Sequence, residues 1–106
     1  MPTRALLLTL LLASPIAGRA EDLILLLQQR NCPGCHLEDV DLVHADLRDA
    51  DLQRAQLQRA NLGQALLDGA DLRKSNLRFT NLRGASLRGA DLRGSTLMGP
   101  SYARPT

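Results

Sequence analysis

The stretch ADLRDADLQRAQLQRANL, Ala45 to Leu62, places a leucine at every fifth position, and the same spacing runs from Leu37 to Leu97, thirteen times without a miss. An α-helix advances about 100° per residue, so leucines five apart rotate by about 140° each time and gather on no face. A flat strand sends residues i and i+5 to opposite faces, because its side-chain period is two. A path that bends once per repeat turns every leucine inward. With four sides to a turn, residues 20 apart stack at the strand spacing of about 4.8 Å.

The neighbouring columns fit that coil. Two residues before each leucine stand Ala45, Ala50, Ala55, Ala60, Ala65, Ala70, Ala85 and Ala90, with Cys35, Val40, Ser75, Thr80 and Ser95 as mostly small alternatives. They share the interior, where only a small side chain fits beside a leucine. Just before the leucines come Asp41, Asp46, Asp51, Asn61, Asp71, Asn76, Asn81 and Asp91, whose short side chains can hydrogen-bond nearby backbone at a bend. Gln56, Leu66, Ser86 and Thr96 depart from this column, and Leu66 is expected to face solvent.

The pattern resembles the pentapeptide-repeat family, whose repeat reads roughly A-(D/N)-L-x-x, over residues 35–99. The resemblance implies an all-β fold, a right-handed quadrilateral β-helix with the leucine and small-residue columns inside. Some members act as duplex-DNA mimics, a role that needs a long acidic rod; the length and charge of this chain do not carry it over.

Residues 1–20 have the layout of a secretory signal: Arg4, an apolar run from Ala5 to Ala13, the breaker Pro15, and small residues leading to a cut expected after Ala20. The run is too short to span a bilayer, so no stable membrane anchor remains after cleavage. The mature chain is expected to be periplasmic or secreted. A solenoid exposes unpaired backbone and core at both ends. Residues 21–31 read as a short capping helix, with Glu21 and Asp22 favourably at its N-terminus and its leucines over the first coil. About three coils follow over 32–99. Residues 100–106 form a polar tail, too poor in apolar side chains for a comparable lid.

The sequence CPGCH, Cys32 to His36, has two readings. It satisfies the attachment pattern of haem c, with Cys32 and Cys35 as thioether sites and His36 as an iron ligand, which would make the chain a small electron carrier. In the five-residue frame Cys32 instead takes a leucine position, Cys35 a small-residue position and His36 an Asx position. Pro33 and Gly34 fall at the central residues of a type II turn, and both cysteines point inward as a candidate disulfide. A narrow Leu/Ala core and the placement of His44 and Met98 away from His36 argue against a haem pocket. A zinc site from Cys32, Cys35, His36 and His44 matches no familiar spacing.

Removing residues 1–20 leaves 11 basic and 11 acidic side chains, a balance that does not suggest a nucleic-acid binder. The distribution is uneven. Ten acids against four arginines occupy 21–71, whereas one acid and seven bases follow, giving about −6 and +6. Asp51, Asp71 and Asp91 should stack as a carboxylate ladder, neutralised by Arg54, Arg73, Lys74 and Arg93. No nucleophile lies beside a base, so no enzyme activity is expected, and no metal or resident cofactor. The expected role is a binding or scaffold module. Its partner-binding candidates are a basic collar of Arg73, Arg78, Arg83, Arg88 and Arg93, together with Leu66. The partner is an acidic protein or a second copy, meeting the C-terminal end.

Overall fold

The structure is a computed structural model that describes residues 15–99. Parallel bridges join residues 20 apart throughout: Asn31 to Asp51, His36 to Gln56, Asp41 to Asn61, Asp46 to Leu66, and onward to Asp71 with Asp91. The chain therefore winds as a coil whose turn is 20 residues and whose sides are single repeats. Its four interior stacks are Cys32/Leu52/Leu72/Leu92, Leu37/Leu57/Leu77/Leu97, Leu42/Leu62/Leu82 and Leu47/Leu67/Leu87. Every member from Cys32 to Leu82 is buried. Ala50, Ala55, Ala60, Ala65, Ala70 and Ala85 fill the space beside them.

One repeat accounts for the hydrogen bonding. Asn61 N–H donates back to the Val40 carbonyl (2.9 Å), Leu62 N–H forward to Asn81 (2.8 Å), Gln64 N–H forward to Arg83 (2.8 Å), and Ala65 N–H across the corner to Leu62 (3.1 Å). The remaining amide, Gly63 N–H, donates to Asn61 Oδ1 at 3.0 Å. All five donors are satisfied, as a buried backbone requires. The Asx column is thus needed for the one corner amide that neither neighbouring coil reaches. Asp41, Asp46, Asp51, Asp71, Asn76, Asn81 and Asp91 do the same for the amide two residues on.

Each corner takes a left-handed residue at its second position, as a type II turn demands. Glycine supplies it at Gly34 (φ 72°), but Asp39, His44, Asp49, Arg54, Arg59, Gln64, Lys74 and Phe79 adopt it too, at φ 55–63°. Regular strand is scarce, because a corner interrupts pairing every five residues. Among the described residues nine bridges stand alone. Among the described residues one pair of strands forms, β1 (Asn76–Arg78) with β2 (Thr96–Met98), in parallel register Leu77 opposite Leu97.

The N-terminal cap differs from expectation. Helix α1 spans Pro15–Gln29, beginning six residues ahead of Glu21, with a proline at the first helical position that such a start favours. Glu21 and Asp22 therefore lie inside the helix and not at its N-terminus. Arg30, at φ 53°, ends it in the left-handed conformation common after helices. Among the described side chains of the helix, Leu26 and Leu23 pack on the coil, and Ile24, Leu25 and Leu27 are exposed. At the other end cover thins: Leu87 and Leu92 are partly buried and Leu97 is 43% exposed. The signal-type residues 1–14 and the tail 100–106 lie outside the described residues.

Candidate functional site

Cys32 and Cys35 flank the Pro33-Gly34 corner. Cys35 N–H donates to the Cys32 carbonyl at 3.3 Å, and their Cα atoms are 5.4 Å apart, within the span of a disulfide. Both side chains are buried. The His36 side chain is 69% exposed, on the outside of the wall, and pairs with Glu38 at 3.2 Å. Haem attachment needs both sulfurs and the imidazole on one face of the chain, so these residues do not fit the group. His44 sits exposed at a corner of the adjoining side. No cluster of three potential metal ligands forms among the described residues.

Asp51, Asp71 and Asp91 stack as expected, and Arg73 and Arg93 tie the ladder down, whereas Arg54 and Lys74, also expected to neutralise it, make no ion pair with it among the described residues. Arg73 holds Asp71 at 2.7 Å and reaches Asp91 at 3.8 Å, while Arg93 holds Asp91 at 2.6 Å. The Arg93 hydrogen bonds hold the Asp91 carboxyl down at about 2, and Arg73 lowers Asp71 in the same way. On another face Arg48 and Arg30 flank Asp46, at 2.8 and 3.2 Å, and the Arg48 hydrogen bond leads in holding it well below the usual carboxylate range. Arg59 spans one coil to Asp39 at 2.7 Å, which raises the arginine.

Leu66 faces outward as expected, 37% exposed. It and Ser86 interrupt the Asx column on one side, and Asp68 compensates for Ser86 from a coil away. Its Oδ1 accepts the Arg88 N–H at 3.0 Å and the Ser86 hydroxyl, the latter being the main cause that lowers the Asp68 carboxyl. The hydroxyls of the small-residue column serve the fold: Ser75, Thr80 and Ser95 donate to the carbonyls of Leu72, Leu57 and Leu92, each at 2.7 Å. No histidine hydrogen-bonds to any of these hydroxyls.

The five collar arginines occupy successive first-corner positions, so the register distributes them around all four sides. They are not equivalent. Arg73 and Arg93 are committed to the ladder. The guanidinium groups of Arg78, Arg83 and Arg88 donate no hydrogen bond among the described residues, although the charge of Arg88 helps to lower the Asp68 carboxyl. Arg83 also lines an open groove of about 330 Å³ with Val43, His44, Gln64 and Asn81, hollowed where Gly63 and Gly84 lack side chains. Beside these arginines stands an apolar cluster that the sequence reading missed: Phe79 (48% exposed), Leu97 (43%) and Met98 (49%). Its one signal was an aromatic at a corner position otherwise taken by polar residues and glycine.

No helix among the described residues is long and apolar enough to cross a membrane. Residues 27–59 and 55–94 match the protein family described as pentapeptide repeats, in 8 copies. The chain is similar to a pentapeptide repeat protein from the cyanobacterium Cyanothece 51142, at 30% identity over 74% of this chain and 77% of that one, with a TM-score of 0.40. A second, from Nostoc Pcc 7120, shares 30% identity over 77% and 74%, with a TM-score of 0.29. A third, from the Arabidopsis thaliana thylakoid lumen, shares 27% over 69% and 58%, with a TM-score of 0.26. No curated protein matches the chain.

Proposed function

The chain belongs to the pentapeptide-repeat family, and from that premise we propose that it is an exported, non-enzymatic binding or scaffold module whose C-terminal end engages a protein partner. Its body is a right-handed quadrilateral β-helix of about three coils, and Cys32 and Cys35 are joined as a disulfide beneath α1. Export rests on the sequence layout of residues 1–20. A cut after Ala20 retains Asp22, Leu23 and Leu26, the helix residues that meet the coil.

One observation carries the binding reading: Arg78, Arg83 and Arg88 surround a coil end at which Leu97 and Met98 remain exposed. Cations that no carboxylate hydrogen-bonds, beside uncovered apolar surface, favour an acidic partner, which would gain both charge neutralisation and burial. The competing occupant, a second copy, brings two basic collars together. Salt separates the two, because screening releases an acidic partner and strengthens the contact of like-charged ends. The test is capture from the exported fraction at low and high salt, with sedimentation alongside. An acidic protein that is retained at low salt, lost at high salt, and lost also with the Arg83→Glu/Arg88→Glu variant is the expected result. A monomer whose double variant keeps every captured protein would overturn it.

A further inference from the structure

Resting on that reading, we infer that the outer edge of β2 is a docking strip for an extended acidic segment, which adds to the coil as a further parallel strand. In an interior rung on this side, Leu57 N–H and Arg59 N–H donate to the next coil at 2.9 Å each, and the Ala55 carbonyl accepts Asn76 N–H at 2.9 Å. The equivalent groups of the last rung are Leu97 N–H, Gly99 N–H and the Ser95 carbonyl. The five-residue pattern stops at Gly99-Pro100, and among the described residues no following rung receives them. The inner edge of β2 is already occupied: Thr96 N–H donates to Ser75 (3.0 Å), and the Met98 carbonyl accepts from Phe79 (2.7 Å). Two donors and an acceptor, in the register that every other rung fills, form a template for an added strand.

The side chains define what suits that template. Phe79 is held at φ 58°, a conformation that is uncommon and unfavourable for a bulky residue, and its ring stands where a Cβ on Gly99 would lie. This holds an aromatic half-exposed at the corner beside Met98 and Leu97, as an anchor for an apolar side chain. Arg78, in the adjoining corner position, offers an uncommitted guanidinium suited to a carboxylate. A ligand of alternating apolar and acidic residues meets both, whereas a second copy of this chain supplies arginine where carboxylate is wanted.

The probe is a fluorescein-labelled octapeptide of alternating valine and glutamate, titrated into the full chain and followed by fluorescence polarisation. Controls are the same peptide N-methylated at its valines, a lysine-for-glutamate peptide, and the protein variants Arg78→Glu and Leu97→Pro, the second of which deletes an edge N–H. Binding of the parent peptide is expected to fall about tenfold or more in each of the four controls, the loss of one charge-assisted or edge hydrogen bond at 1.4 kcal/mol per decade. Equal affinity for parent and N-methylated peptides overturns strand addition while leaving an acidic partner in place. Absence of binding by any peptide, with the chain dimeric in sedimentation, overturns it in favour of a second copy. Circular dichroism of both variants separates lost binding from lost fold, and an unfolded Leu97→Pro leaves the decision to the N-methylated peptide.

Discussion

Asp22 Oδ2 lies 2.7 Å from the His36 amide nitrogen and accepts its N–H. In later coils the equivalent amide donates to a carbonyl 21 residues back, as Gln56 does to Cys35 at 2.8 Å and Leu66 to Ala45 at 2.9 Å. His36 belongs to the first coil, so the helix that covers the coil supplies a carboxylate where a preceding coil would supply a carbonyl. The cap is therefore polar as well as apolar, with Leu26 closing the core and Asp22 completing the ladder.

Asp22→Ala should lower stability by about 1 kcal/mol, the net worth of a hydrogen bond whose amide water can reach once the carboxylate is gone. Asp22→Asn, which keeps an acceptor, should lose less. Urea denaturation measures both, and hydrogen exchange at the His36 amide should quicken in the alanine variant. Unchanged exchange there would remove the capping role.

The interior frame is tested by two positions in one repeat. Leu62 is fully buried among leucine and alanine, and Gln64 is exposed at the corner. Leu62→Asp should unfold the domain, since it buries a charge without a partner; Leu62→Ala should cost about 2–5 kcal/mol. Gln64→Asp should stay within about 0.5 kcal/mol of the parent. Equal tolerance at both would reject the coil.

The coil was legible in the sequence because a five-residue leucine period is incompatible with a helix or a flat strand. The Asx column was legible as a bend signal, and the structure adds which amide it serves. The corner conformation was not readable from residues such as Arg54, Gln64 and Lys74, since none is a glycine and the left-handed turn is imposed on them by coil closure. The start of α1 was hidden because apolar residues run from Ala5 to Leu27 with few polar interruptions, and the signal-like layout divides that run at Ala20. Phe79 and Met98 are not legible as a pair because they are 19 apart in sequence and meet only through the coil register.

The Cys32 and Cys35 pair yields a distinct expectation. A disulfide across a four-residue turn should contribute about 2 kcal/mol by chain entropy. Intact mass of the exported protein should be lower by two protons than that of the reduced chain, and Cys35→Ser should reduce the urea midpoint. A mass increase equal to covalent haem, with a Soret band, would instead restore the electron-carrier reading of CPGCH.

Gly89 isolates the energetic demand of a corner. Its φ is +70°, and the nearest atom to an added Cβ is the Gly69 nitrogen at 4.0 Å, so a methyl group meets open space. Gly89→Ala should therefore cost about 1 kcal/mol through backbone conformation alone. Gly89→Asn should cost less, because asparagine tolerates the left-handed region. Equal urea midpoints for all three proteins would mean that corner conformation exerts no measurable strain.

The arginine-held carboxylates set the acid limit of the fold. Hydrogen bonds from Arg48, Arg73 and Arg93 lower Asp46, Asp71 and Asp91 respectively, the last to about 2. A carboxyl whose folded value lies below its unfolded value, about 3.9, stabilises the fold in its ionised form. That contribution is complete above the unfolded value and is lost as pH falls through the folded one. The urea midpoint should accordingly change little between about pH 7 and 5 on account of these groups, and decline from about pH 4 toward 2. General charge repulsion also grows in acid, so the informative quantity is the difference between the parent and Asp91→Asn. That difference should be present at neutral pH, shrink below about pH 4, and close below about pH 2, where the parent carboxyl is protonated too. Because these side chains are only partly buried and reach solvent, each contribution is small, and it should diminish in high salt. Equal stability of the two proteins at neutral pH would show that Asp91 acts through its Asx bond to the Arg93 amide, at 3.1 Å, which asparagine retains, and not through its charge.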